Sequence, residues 1–89
     1  MNALSQLAQL ALSPSGFVFD TRTGATFTVN AAGVVLLEGL REGQGLAELV
    51  ETLLQQFDAR GHDLARDVLE FVRRLQVEGL LPRDFELEA

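Results

Sequence analysis

Apolar and polar residues alternate over two short stretches near the start of the chain, residues 17–20 and 25–29. Both stretches are rich in Phe, Val and Thr, the residue types that suit a half-buried strand. The segment DTRTG between them has the character of a hairpin connection, and Gly24 is suited to a positive φ. The pattern therefore predicts an antiparallel hairpin, with Ala25 to Val29 as its second strand.

The first fifteen residues, MNALSQLAQLALSPS, allow two interpretations. Leu4, Leu7, Ala8 and Ala11 have helical spacing, and Ala, Leu and Gln favour a helix. The alternative is a strand across Leu7 to Leu12. The local pattern alone favours the helix.

Helical periodicity follows the hairpin. Asn30 is a suitable N-cap for a first helix, AAGVVLLEGL, which Gly39 or Gly43 closes. Gly33 inside that helix costs about 1 kcal/mol relative to Ala, which is tolerable where another element packs closely. A second helix is predicted from Gly45 to Phe57, with one apolar face made of Leu46, Leu49, Val50, Leu53, Leu54 and Phe57.

A third helix is predicted from its N-cap Asp63 to about Glu78, before Gly79 ends it. A narrow stripe of this helix is predicted to face the core: Leu64, Val68, Phe71 and Leu75. One flank is charged, through Asp67, Arg74 and Glu78. The other flank is neutral through Ala65, Leu69, Val72 and Gln76, until Arg66 and Arg73 appear.

The 89 residues and 47% hydrophobic content predict one domain spanning residues 1–89, with a core of about 7–81 and a loose tail at 82–89. Seven Arg, no Lys and thirteen acids give a net charge of −6, which disfavours binding to nucleic acid. There is no cysteine and no apolar run long enough to span a membrane. A cytoplasmic location is the expectation.

The sequence gives little support for catalysis, a metal or a cofactor. His62 is the single histidine, and no spacing gathers three metal ligands around it. The serines have no adjacent base, and the glycines follow no phosphate-binding pattern. The acids Asp58, Asp63, Asp67 and Glu70 have the positions of helix-end and surface charges. We therefore predict that the chain is not an enzyme.

Two surfaces remain that can receive a peptide. A narrow sheet has an edge with unpaired N–H and C=O groups, and residues 25–29 carry no Lys, Pro or charge that would block it. The neutral flank of the third helix either packs on the hairpin or lines a groove beside it. The groove hypothesis predicts peptide binding by strand addition, through Ala25, Thr26, Phe27, Thr28, Val29, Ala65, Arg66, Leu69, Val72, Arg73 and Gln76.

The order and spacing of four segments resemble the PqqD-like family. They are GFVFD…TGATFTVN, the run GVVLLEGL, the helix GQGLAELVETLLQQFD and the segment RDVLEFVRRLQVEGLL. The resemblance covers roughly Leu10 to Leu81. Positions that agree with the family pattern are Asn30, Asp67, Val68, Phe71, Leu75, Gly79 and Leu80.

The resemblance implies an α+β, winged helix-turn-helix-like domain with an N-terminal three-stranded antiparallel sheet and then three helices. It thereby favours a strand over a helix for Leu7 to Leu12. Family members are peptide chaperones or recognition elements for ribosomally synthesised precursor peptides. The leader adds beside the third strand and lies against the last helix, and the partner enzyme is often a radical SAM protein. A pathway to coenzyme PQQ itself is not implied.

Two other functions compete with this hypothesis. A winged-helix DNA-binding regulator would need a basic recognition helix, but here Arg66, Arg73 and Arg74 are offset by acids on the same helix. A self-associating domain would instead cover the open edge strand with a second copy, as a homodimer.

Overall fold

A computed structural model describes residues 7–58, 61 and 63–89 of the chain. Three strands form one antiparallel sheet in the order β1-β2-β3: β1 Leu10–Leu12, β2 Phe17–Asp20 and β3 Thr26–Thr28. The sheet confirms the fold expected from the family resemblance. The helix favoured by local spacing is wrong from Leu10 onward, because these residues pair with β2. Leu4 and Ser5 lie outside the described residues.

Three helices follow the sheet: α1 Ala31–Arg41, α2 Leu46–Gln56 and α3 Leu64–Val77. The predicted N-caps are confirmed, since Asn30 Oδ1 accepts from Gly33 N at 2.8 Å and Asp63 Oδ1 accepts from Arg66 N at 3.1 Å. Such caps satisfy N–H groups that have no partner inside the helix. Gly43, with a φ of +82°, follows the end of α1 and reverses the chain toward α2.

The core lies where α1, α2 and α3 meet the inner face of the sheet. Its buried apolar side chains are Leu7, Leu10, Val18, Leu36, Leu37, Leu40, Leu49, Leu53, Val68, Val72, Leu75, Leu80 and Leu81. The apolar face predicted for α2 is too wide, because Leu54 is 53% exposed. On the opposite face of the sheet, Phe17 and Phe19 are exposed.

Gly33 is buried in α1 where the end of β3 and α3 approach it. A Cβ at this position would lie 2.8 Å from the Val29 Cβ and 3.3 Å from a ring carbon of Phe71. The cost of a helical glycine is therefore offset by close packing, as the sequence allowed. The contact also fixes the spacing between β3 and α3.

The segment after α3 folds back onto the domain, which corrects the expectation of a loose tail. Phe85 and Leu87 are partly buried against the core, and Leu46 N donates to the carbonyl of Glu88. The side-chain amide of Gln76 lies within 3.2 Å of the carbonyl oxygens of Pro82, Arg83 and Phe85. A terminal position suggested a loose tail, but Phe85 and Leu87 are apolar and pack against the core.

A buried carboxylate holds the turn between β2 and β3. Asp20 is only 3% exposed, and its Oδ1 accepts from Arg22 N at 2.9 Å. Its Oδ2 lies 3.3 Å from Arg22 Nη2, and the same guanidinium nitrogen reaches Gly79 O, at the end of α3, at 3.4 Å. The hydrogen bond from the Arg22 backbone, supported by the Arg22 side chain, lowers the pKa of Asp20.

Replacing Asp20 with Asn should reduce the free energy of unfolding by about 1–3 kcal/mol at pH 7, since charge-assisted hydrogen bonds to a buried group are lost. The lowered pKa of Asp20 means that the unfolded chain binds the proton more readily. The stabilisation is therefore complete above the unfolded pKa, near 4, and disappears as the pH falls through the folded pKa. Urea unfolding at pH values from 7 to 3 measures this dependence of the free energy of unfolding on pH.

The control for this substitution is Asp84→Asn, an acid-to-amide change at an exposed position. We expect the difference between wild type and Asp20→Asn to shrink on acidification, whereas Asp84→Asn should differ little from wild type at pH 7. A difference for Asp20→Asn that stays constant down to pH 3 would contradict the assignment.

Candidate functional site

Among the described residues, β3 is an edge strand whose outward side pairs with no other strand, and this side lies next to α3. Asp20 N donates to Ala25 O, and Val29 N donates to Gly16 O, so odd-numbered residues of this segment pair with β2. In an antiparallel ladder the next residues point their N–H and C=O groups the other way. The register, with Phe17 opposite Thr28, places Thr26 and Thr28 at these outward positions.

The wall beside this edge comes from α3. Arg74 Nη2 reaches Thr28 O at 3.4 Å, and Phe71, one turn earlier in α3, packs against Gly33 next to Val29. We call the region between the outward edge of β3 and the flank of α3 that carries Phe71 and Arg74 the β3–α3 surface. It places main-chain hydrogen-bonding groups on one side and a partly buried aromatic ring with a guanidinium on the other.

The structure does not bring the α3 residues selected from the sequence to this surface. At 100° per residue, five of them lie about 120–160° around the helix from Phe71: Ala65, Arg66, Leu69, Arg73 and Gln76. Leu69 is 48% exposed and Gln76 contacts the segment after α3. The sixth, Val72, is 5% exposed and belongs to the core. The flank predicted to face the hairpin therefore faces away from it.

The β3 half of the prediction has a different outcome. Thr26 and Thr28 have exposed side chains and outward main-chain groups, whereas Phe27 turns its ring toward the core. Ala25 and Val29 direct main-chain groups to β2, so they flank the open positions rather than provide them. Peptide contact by residues 25–29 stays a prediction.

A cavity of about 370 Å³ lies where β3 leads into α1, at one end of the β3–α3 surface. Phe71 and Gly33 belong to both regions, which makes them continuous. The cavity has mostly apolar walls from the three helices and the residue after α2: Ala32, Leu36, Leu53, Phe57, Leu64 and Phe71. Its polar lining includes Asn30, Asp58 and Asp67.

The remaining charges near α3 form weak surface pairs. Arg66 Nε lies 3.7 Å from Glu70 Oε1 and Arg74 Nε lies 3.7 Å from Glu78 Oε1. Exposed pairs of this kind contribute under about 1 kcal/mol. Within residues 7–58, 61 and 63–89, no group of three or more His, Asp or Glu could hold a metal. His62 lies outside the described residues.

The sequence analysis did not select Phe71 and Arg74 as peptide-contacting residues. Phe71 was assigned to the core stripe and Arg74 to the charged flank, and both assignments describe their exposure correctly. Only the position of β3 relative to α3 decides which flank meets the sheet edge. Local periodicity contains no information about that position.

A three-stranded antiparallel sheet whose edge strand β3 lies beside α3, followed by three helices, defines a small winged-helix-like α+β domain. The family model of coenzyme PQQ synthesis protein D (PqqD) matches residues 16–81. The chain belongs to the PqqD family. Because this family is non-catalytic and binds peptides, the prediction that the chain is not an enzyme is confirmed.

The fold is similar to that of TbiB1, solved in complex with the TbiA(beta) leader peptide. The two chains superpose with a TM-score of 0.71 at 23% sequence identity, over 86% of this chain and 91% of TbiB1. None of the curated proteins matches the sequence. In the part of the chain that the structure describes, no helix has the length and apolar character needed to cross a membrane.

Proposed function

We propose that this domain binds the leader segment of a ribosomally synthesised precursor peptide and presents it to a peptide-modifying enzyme. The leader adds as a fourth strand along β3 and packs its side chains against Phe71 and Arg74 of α3. The family membership and the likeness to a leader-bound protein support this function. The observation that carries it is the pair of outward-facing main-chain positions at Thr26 and Thr28.

Strand addition suits this edge for a physical reason. Unpaired N–H and C=O groups at a sheet edge gain hydrogen bonds from any extended backbone. The affinity that the edge contributes therefore does not depend on the amino-acid sequence of the peptide. The exposed threonines beside it add no charge that would repel a partner. Selectivity then comes from side-chain contacts with α3 and with the cavity at the end of the strand.

A random 15-residue peptide library displayed on phage tests the function without knowledge of the natural leader. The most enriched sequence, synthesised and called the selected peptide below, is titrated into 15N-labelled protein. We expect the largest amide shifts in residues 25–29 and around Phe71 and Arg74. Absence of enrichment over the unselected library, or shifts confined to other regions, would refute strand addition at β3.

Two adjacent arginines on different flanks of α3 provide a matched test of the helix wall. Arg74 contacts Thr28 O, while Arg73 lies about 100° further round the helix. Arg74→Glu should weaken binding of the selected peptide about tenfold, because it places a carboxylate beside the outward carbonyl of β3. Arg73→Glu should change the Kd less than about twofold.

Isothermal titration calorimetry measures both variants, and circular dichroism verifies their folding. The reverse result, a large loss for Arg73→Glu and none for Arg74→Glu, would favour the flank selected from the sequence, with Arg66 and Arg73 facing the peptide. It would contradict the proposed use of the β3–α3 surface.

A further inference from the structure

The cavity at the end of β3 lies on the path that an added strand would follow. β3 ends at Thr28, and Asn30, two residues on, lines the cavity. Residues of α3 follow the same path on the opposite side. Arg74 lies beside Thr28, and Phe71 lies beside Val29 and Gly33. Asp67, one turn before Phe71, lines the cavity. A peptide extended along β3 therefore reaches the cavity within a few residues.

The size and lining of the cavity indicate what it can accept. Its volume of about 370 Å³ is near the lower end of the ~300–1,000 Å³ typical of ligand pockets. Its apolar lining includes Leu53 and Phe57 from the α2 side and Leu64 and Phe71 from α3. A site of this size and polarity suits one large apolar side chain, because burial of such a group removes its whole surface from water.

Two of the described residues that line the cavity are acidic. Asp58, after α2, and Asp67, in the first turn of α3, are the two charged side chains among the residues that line the cavity in the described part of the chain. Asp67 is half-buried. A carboxylate beside an apolar site attracts a neighbouring cation and repels a neighbouring anion, and partial burial strengthens both effects.

We propose that this cavity is an anchor subsite that binds one large apolar side chain of the peptide and selects for Lys or Arg beside it in the peptide sequence. The subsite disfavours Asp or Glu at the same place. This inference rests on the proposed function, since it names the peptide chemistry that the open edge receives. Its two supports are the continuity of the cavity with the β3–α3 surface and the half-buried Asp67 in its lining.

Three small molecules with one apolar body test the subsite directly. They are 3-phenylpropylammonium, 3-phenylpropanol and 3-phenylpropionate, which differ in the charge of one end. Methyl shifts of Leu36, Leu53 and Leu64 in a 13C-labelled sample report binding. We expect affinity to fall from the cation to the alcohol to the anion, with about a tenfold range.

Asp67→Asn should reduce that range to about threefold, while Asp84→Asn, an exposed acid in the segment after α3, should leave it unchanged. Filling the cavity with Ala32→Leu should remove the methyl shifts for all three compounds, and circular dichroism verifies that this variant is folded. Equal affinities, a reversed order, or shifts that avoid the three leucines would overturn the subsite.

A peptide experiment separates this inference from the proposed function. The library is selected in parallel against wild type and Asp67→Asn. Enriched sequences for wild type should place Lys or Arg within two positions of a large apolar residue, and those for Asp67→Asn should lose the bias. Enrichment without any charge bias overturns the subsite alone, whereas no enrichment with wild type overturns the function as well.

Discussion

Replacing Thr28 with proline is expected to weaken binding of the selected peptide by at least about 20-fold while the domain stays folded. The N–H of Thr28 points away from β2, so its loss breaks no hydrogen bond of the sheet. Proline is tolerated at an edge strand when its missing N–H faces outward. The ring removes a donor and blocks the approach of another backbone, which together oppose strand addition.

Two controls accompany Thr28→Pro. Thr28→Val keeps the backbone N–H and the branched shape, so it should bind the selected peptide within about twofold of wild type. Phe27→Pro removes an N–H on the β2 side of the ladder and should destabilise the domain itself. If Thr28→Pro binds as well as Thr28→Val, the peptide does not pair with the outward edge of β3.

The largest effect on stability is expected for Leu49→Ala. Leu49 in α2 has 0% exposure at the centre of the core, and α2 packs there against α1 and α3. Truncating such a side chain leaves a cavity and costs about 3 kcal/mol, the middle of the range for Leu→Ala. For a domain of this size the Tm should fall by more than about 10 °C. Differential scanning calorimetry measures it.

Leu54→Ala is the matched control on the same helix. Leu54 is 53% exposed, so its truncation should cost less than about 1 kcal/mol. Comparing Leu49→Ala with Leu54→Ala tests whether Leu54 lies outside the buried face of α2, as in the structure, or inside it, as periodicity alone predicted. Equal losses of stability at the two positions would contradict this burial pattern.

The elements of the fold could be predicted because each has a local cause. Asn30 and Asp63 accept from the backbone at helix starts, and Gly24 adopts a φ of +78° in the hairpin turn. These choices depend on a few neighbouring residues, so the sequence contains them. The N-terminal strand is different, because Leu10–Leu12 has helix-favouring composition and is a strand only through pairing with β2.

For the same reason, only one of the two parts of the candidate site, the edge of β3, could be predicted from the sequence. The open edge of β3 follows from the hairpin, which is local, whereas the helical wall depends on how α3 is rotated against the sheet. Several long-range contacts set that rotation, among them Phe71 on Gly33 and Arg74 on Thr28. The segment after α3 also contacts the neutral flank through Gln76, and local periodicity of α3 does not indicate this contact.

Two arginine contacts join the β2–β3 hairpin to the C-terminal part of α3, one from the hairpin turn and one from the end of β3. Arg22 spans from Asp20 to Gly79 O, and Arg74 spans from α3 to Thr28 O. Both contacts are present without a ligand and favour one spacing of hairpin and helix, which lowers the entropy that the domain loses on association. Stiffening that peptide into an extended shape, by N-methylation of alternate solvent-facing amides, is therefore a direct route to a tight inhibitor.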